Sequence, residues 1–138
     1  MKYSKNQLLC ILHFMNLGCS KSGLGVYQQD AHLIITVSHC NASDVPIRVY
    51  DINVYRMTKG DKTLVCSLSS GDRFDRSLAL DSWEYGATPA GFILGPCEQL
   101  ENKQAYSVEF RGSISPEPLQ FETEAQVLTS RFIENCGM

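Results

Sequence analysis

Three histidines (13, 32 and 39) and six cysteines (10, 19, 40, 66, 97 and 136) are the residues of this 138-residue chain with the most chemistry to offer. Hydrolysis needs a nucleophile, a base and an orienting group within reach of one another. His32 and His39 bracket one apolar run, "HLIITVSH". Their odd spacing puts them on opposite faces of a strand, so they share no site there. His39 and Cys40, as strand neighbours, point apart for the same reason and make a poor thiol–imidazole pair. No two cysteines stand at the C-x₂₋₄-C spacing of a zinc site. Asp72, Asp75 and Asp81 lack the spacing of a calcium loop. "SGLG" at 22–25 is followed by neither the third glycine nor the Lys-Ser/Thr of a phosphate loop. "NAS" at 41–43 is a glycosylation sequon only in a eukaryotic secreted protein and otherwise a turn. The expectation is therefore no catalytic residue, no metal and no cofactor. An enzyme of unknown class, exported to a periplasm, is the competing reading.

Cysteine chemistry also raises the question of compartment. Lys2 and Lys5 precede an apolar run from Leu8 to Leu17 that ends at Gly18-Cys19, with no acidic residue before Asp30. A basic start, a short apolar stretch and a small residue form the layout of a secretory signal. The run has about half the ~20 apolar residues a bilayer crossing needs. A buried first helix or strand of a cytosolic domain is the alternative. Gly18-Cys19 resembles the end of a bacterial lipoprotein signal, in which the peptidase cuts before a cysteine that carries acyl chains. Asn16 stands where that family usually has Leu, and His13 interrupts the run. The resemblance implies residues 1–18 as signal, lipidation of Cys19, a flexible tether over 19–25 and a domain over 26–138. Ser20, in place of the aspartate of inner-membrane retention, implies the outer membrane facing the periplasm. The expected membrane partner is then the lipid bilayer itself, held through acyl chains such as palmitate at about 0.8 kcal/mol per buried CH₂.

Export makes sense of the cysteine count. Loss of Cys10 and acylation of Cys19 leave Cys40, Cys66, Cys97 and Cys136, an even number in an oxidising compartment. Two disulfides are expected among them, and the sequence does not choose between the three pairings. From Cys19 onward the chain has 120 residues, enough for one domain with one core. That portion carries 10 Lys and Arg against 15 Asp and Glu, a net charge of −5, with the excess after residue 97 in Glu98, Glu101, Glu109, Glu117, Glu122, Glu124 and Glu134. Nucleic acid needs a concentrated basic patch and is not an expected partner. A docking face for a basic protein is one use of the acidic excess, a solvated surface the other.

The elements that position these residues read as strands. "AHLIITVSHC" is rich in β-branched residues, and "NASDVP" supplies turn chemistry. "IRVYDINVYRM" alternates, with Ile47, Val49 and Asp51 on one side and Arg48, Tyr50, Ile52, Val54 and Arg56 on the other. "TKGDK" connects it to "TLVCSL" as a hairpin. Residues 69–92 are irregular, and 76–84 fit a short helix or an edge strand. "AYSVEFRGSI" alternates, "SPEP" turns, and "LQFETEAQVL" puts Leu119, Phe121, Thr123, Ala125 and Val127 on one face. No sustained helical period follows residue 19. About seven short strands predict an all-β, antiparallel, immunoglobulin-like β-sandwich after the N-terminal signal. "LENKQAYSVEF" resembles the approach to strand F of fibronectin type III and related immunoglobulin-like domains, on Leu100, Tyr106 and Val108. That resemblance implies a bond from the Tyr106 hydroxyl back to the upstream corner.

Loops on a rigid sandwich are where recognition residues sit. The irregular region holds Phe74, Trp83, Tyr85 and Phe92 with Arg73 and Arg76 among them, and Trp, Tyr and Arg dominate interface hot spots. Trp83 and Phe92 have the alternative use of filling the core. "SGDRF" at 70–74, with Trp83 and then Cys97, resembles membrane-bound lysozyme inhibitors, with Phe74 in place of their Tyr. Ser70 and Gly71 would be the inserted residues. The candidate partner-binding set is Ser70, Gly71, Arg73, Phe74, Arg76, Trp83 and Tyr85. The expected function is non-enzymatic: an envelope lipoprotein that binds a protein, as an assembly component or as an inhibitor of the toxin-immunity type.

Overall fold

A computed structural model describes residues 22–29, 32–39, 45–70, 78–123 and 132–134. The described residues form ten strands and no helix: β1 (Ser22–Gln29), β2 (His32–His39), β3 (Arg48–Thr58), β4 (Asp61–Ser69), β5 (Leu78–Ala79), β6 (Ser82–Glu84), β7 (Ile93–Leu94), β8 (Ala105–Gly112), β9 (Leu119–Glu122) and β10 (Phe132–Glu134). One sheet has the order β10-β1-β2-β6, and the other has β7-β4-β3-β8-β9 with β5 also on β3. All pairings are antiparallel. The architecture is an all-β sandwich. Its strands outnumber the seven expected because two- and three-residue segments add to the edges.

Alternation of side chains sets the inner faces. Leu33, Ile35 and Val37 of β2 are buried with His32 exposed, and Leu24 and Val26 of β1 follow the same rule. On β9, Leu119 and Phe121 point inward and Thr123 continues the face, as the sequence predicts. Ala125 and Val127 lie outside the described residues.

The phase of β3 departs from simple alternation. Val49 pairs with Gly112 and Asp51 with Arg111, so Tyr50 is an extra residue opposite one step of β8. This β-bulge returns Val49, Ile52 and Val54 to one inner face, where all three are fully buried. The expected two-sided pattern, which put Val49 opposite Ile52 and Val54, is corrected by that one residue. A second bulge leaves Val65 of β4 unpaired between Leu64 and Cys66, and both Val65 and Cys66 are buried. The β3–β4 hairpin turns on Lys59 and Gly60, both at positive φ, as a two-residue turn of the mirror-image type requires.

Between residues 78 and 84 the chain changes sheets. Leu78 and Ala79 pair with β3, the Leu80 N–H donates to Ile47 O at 3.0 Å, and the Asp81 carbonyl accepts from the Val37 N–H at 2.9 Å. Ser82 to Glu84 then pair with β2. The described part of 76–84 is thus two short strands rather than a helix. The start of the sandwich also differs from expectation. Ser22 to Gly25, assigned to the tether, pair with His39 to Thr36, so the sheet begins at Ser22.

Candidate functional site

The disulfide is the most chemically distinctive feature of the described residues. Cys66 on β4 and Cys97 are joined, 31 residues apart in sequence. Cys97 lies on the segment that runs beside β4 after β7. The Gly95 N–H donates to Ser67 O and the Glu98 N–H to Val65 O, each at 2.8 Å, on either side of the bridge. One of the three sequence-allowed pairings thereby holds for these two cysteines. Cys40 and Cys136, like Cys19, lie outside the described residues.

The segment held by Cys97 feeds a cluster of polar contacts at one end of the second sheet. The Tyr106 side chain is buried, and its hydroxyl accepts from the Glu101 N–H at 2.7 Å. This is the upstream bond that the resemblance carried by Leu100, Tyr106 and Val108 implied. The Tyr85 hydroxyl donates to Glu98 O at 2.6 Å. Its pKa is pushed up to about 12, first by burial and then by the neighbouring Tyr106 and Glu98. Arg56, on the inward side of β3, meets Glu98 at 3.3 Å and Glu101 at 3.6 Å. Thr123 donates its hydroxyl to Glu101 O and accepts from the Gln104 N–H.

The outer face of the second sheet carries a charge ladder that the sequence reading did not identify. Lys62 on β4 lies 4.5 Å from the Tyr55 ring centroid and reaches Glu109 of β8 at 2.6 Å, bridging across β3. The Glu109 carboxylate raises the Lys62 pKa, chiefly through that hydrogen bond. Arg111 of β8 clamps Asp51 of β3, Nε donating at 3.0 and 3.2 Å to its two carboxylate oxygens, and its pKa is likewise raised. Opposite charges on neighbouring strands were the available signal for Arg111 and Asp51, whereas Lys62 and Glu109 meet across an intervening strand whose register the sequence does not give. Three of the acidic residues counted toward a docking face, Glu98, Glu101 and Glu109, are therefore engaged with basic partners of the same molecule.

The candidate recognition residues scatter. Trp83 is 1% exposed and donates its indole N–H to Ala87 O at 2.8 Å, so the core takes it and it presents nothing to a partner. Its assignment as a contact residue is corrected: a sandwich of this size needs a large side chain between its sheets. Tyr85 is half-buried against the same core, its ring centroid 5.8 Å from that of Trp83. Phe92 is buried too. Ser70, half-buried, donates its N–H to Tyr50 O at 3.0 Å. Gly71, Arg73, Phe74 and Arg76 lie outside the described residues. His32 pairs with Glu84 at 3.2 Å, and the His39 ring meets Val45 O at 3.2 Å, so the two histidines serve opposite ends of β2. Among the described residues no three His, Cys, Asp or Glu side chains group as metal ligands would.

No protein-family model matches the chain, and neither does any curated protein or solved structure.

Proposed function

We propose that this chain is an exported lipoprotein, anchored through Cys19, whose immunoglobulin-like sandwich works by binding another protein. The observation that carries the reading is the Cys66–Cys97 bridge, because disulfides persist in oxidising compartments and are rare in the cytosol. Together with the basic, apolar, Gly-Cys start, it favours export. The immunoglobulin-like reading is supported by connectivity. In that fold the first, second and fifth strands share one sheet, and the third, sixth and seventh share the other. Counting β4 as the extra strand beside the third, β1, β2 and β6 fall in one sheet and β3, β8 and β9 in the other. The Tyr106 bond to Glu101 supports it further. One departure is that the bridge ties β4 to its own neighbour, whereas antibody domains bridge the two sheets.

Intact mass of the protein purified from its own membranes, with and without reduction and alkylation, tests the reading. A chain starting at Cys19, heavier by acyl groups, with four thiols alkylated only after reduction is the expected result. A full-length chain with six freely alkylated cysteines would sink it. The lysozyme-inhibitor version is tested by adding the purified protein to lysozyme. Unchanged lytic activity rules that version out and leaves other protein partners.

A further inference from the structure

We infer that the end of the sandwich where β1 begins lies against the lipid headgroups, so that the molecule stands on the membrane on that end. The inference rests on the anchored reading and concerns what that anchor does to orientation. Ser22 is already in the sheet, paired with His39. Cys19 is three residues away, so the acylated sulfur's backbone sits at most about 11 Å from Ser22 even at full extension. A tether that short fixes which end faces the bilayer.

The described residues place several features at the same end. His39, opposite Ser22, touches the carbonyl of Val45. Three residues on, the Arg48 carbonyl accepts from the Ser113 N–H at 2.9 Å, and the Arg48 N–H donates to the Ser113 hydroxyl at 2.9 Å. Ser70, next to the last residue of β4, is tied to Tyr50, and Ile93 pairs with Ser69. Val45 is 65% exposed and Ile93 is 58% exposed, two of the three large apolar side chains left uncovered among the described residues. Exposed apolar residues taken singly are ordinary. Two on the end to which a lipid anchor is tied match the occupant that the anchor supplies. The Lys59-Gly60 turn lies at the other end of the same sheet, beyond the last pair of the eleven-residue β3.

The orientation has a consequence for partner binding. Ser70 and Leu78, which flank residues 71–77, both sit at this end, Leu78 opposite Val49. The lysozyme-inhibitor version, which inserts Ser70 and Gly71, then requires access from the membrane-facing end.

The full-length lipidated protein, reconstituted in vesicles of phosphatidylethanolamine and phosphatidylglycerol, tests the inference. A photoreactive benzoylphenylalanine is placed at Val45 in one sample and at Lys59 in another, both exposed positions that leave the core intact. Lipid adducts several-fold more abundant from position 45 than from 59 are expected. Equal yields, or more from 59, overturn the orientation. The mass of the N-terminal peptide is read in the same samples. Acyl mass with even adduct yields removes only the orientation, whereas no acyl mass and no adducts removes the anchor and the orientation together.

Discussion

Tyr106 and Tyr85 reach the same short segment from two directions and illustrate how single hydroxyls organise this fold. Tyr106→Phe keeps the buried ring and removes the acceptor of the Glu101 N–H. A part-buried donor left without its partner costs about 1–2 kcal/mol, so urea unfolding of this variant should show that loss. Tyr85 makes a different demand. Its phenol is protonated in the folded state up to about pH 12, whereas an unfolded tyrosine ionises near 10. Its contribution to stability is thus fully present below pH 10 and is lost as pH rises from 10 to 12. An absorbance titration should show one phenol ionising about two pH units late, and Tyr85→Phe should abolish it. The same variant should flatten the fall in stability between pH 10 and 12, and an unchanged profile would contradict the assignment. Gly112 carries a third kind of constraint. A Cβ there would come within 2.1 Å of the Arg48 carbonyl and 2.7 Å of the Phe110 ring. Backbone on one side and a core ring on the other leave nothing cheap to move. Gly112→Ala should cost about 2–3 kcal/mol, at the severe end of single substitutions, measured by the same unfolding curves.

Gly112 also explains what could be read of the elements from sequence and what could not. It is the residue opposite Val49 where β3 carries Tyr50 as an extra step. Alternation in "HLIITVSH" and "LQFET" translated directly into the inner faces of β2 and β9, because those strands pair without interruption. In β3 the same rule gave the wrong phase after Val49, since the bulge is set by what lies across the sheet and not by local composition. β5, β6 and β7, two or three residues each, are too short to repeat a hydrophobic period and are defined by their pairing with β3, β2 and β4. Of the candidate site, the Tyr106 bond was what the resemblance to fibronectin type III domains, on Leu100, Tyr106 and Val108, implied. The fate of Trp83 was not legible, because burial and display ask for the same side chain. Cys97 marks the clearest case of an element held by a distant partner. Gly95 and Glu98 give β4 only two backbone bonds there, so the bridge holds the segment that carries the Tyr85, Arg56 and Tyr106 contacts. Closing a loop of this length is worth about 2–4 kcal/mol in the chain-entropy account. The double variant Cys66→Ala/Cys97→Ala should lose about that much in a denaturant midpoint measurement, with part of the loss from the fully buried Cys66 side.

At the scale of the whole molecule, the first sheet leaves a pairing to be completed. Cys66 and Cys97 are joined, and an anchored chain has spent Cys10 and Cys19, so Cys40 and Cys136 are the two that remain. The described strands bring their neighbours to one end. β2 ends at His39 opposite Ser22, and β10 ends at Glu134 opposite Gly25, so both strands flank the beginning of β1. Strands separated by one intervening strand run about 9.6 Å apart. A disulfide needs Cα atoms within about 7 Å, so a bridge can close only where the chain past the described ends, His39 and Glu134, comes closer than that spacing. The sequence places one cysteine just past His39 and the other two residues past Glu134. A Cys40–Cys136 bond there would tie together β2 and β10, the two neighbours of β1. Two thiols would pass two electrons and two protons to an oxidised dithiol partner, the chemistry that an oxidising compartment supplies. Trypsin separates all four cysteines, which fall in the peptides 22–48, 63–73, 77–103 and 132–138. After free thiols are blocked before lysis, a non-reducing digest should yield 22–48 joined to 132–138 and 63–73 joined to 77–103. Blocked Cys40 and Cys136 beside an intact Cys66–Cys97 bridge would refute the second pairing while leaving export in place. Four blocked cysteines would remove the oxidising compartment, and with it the basis for either bridge.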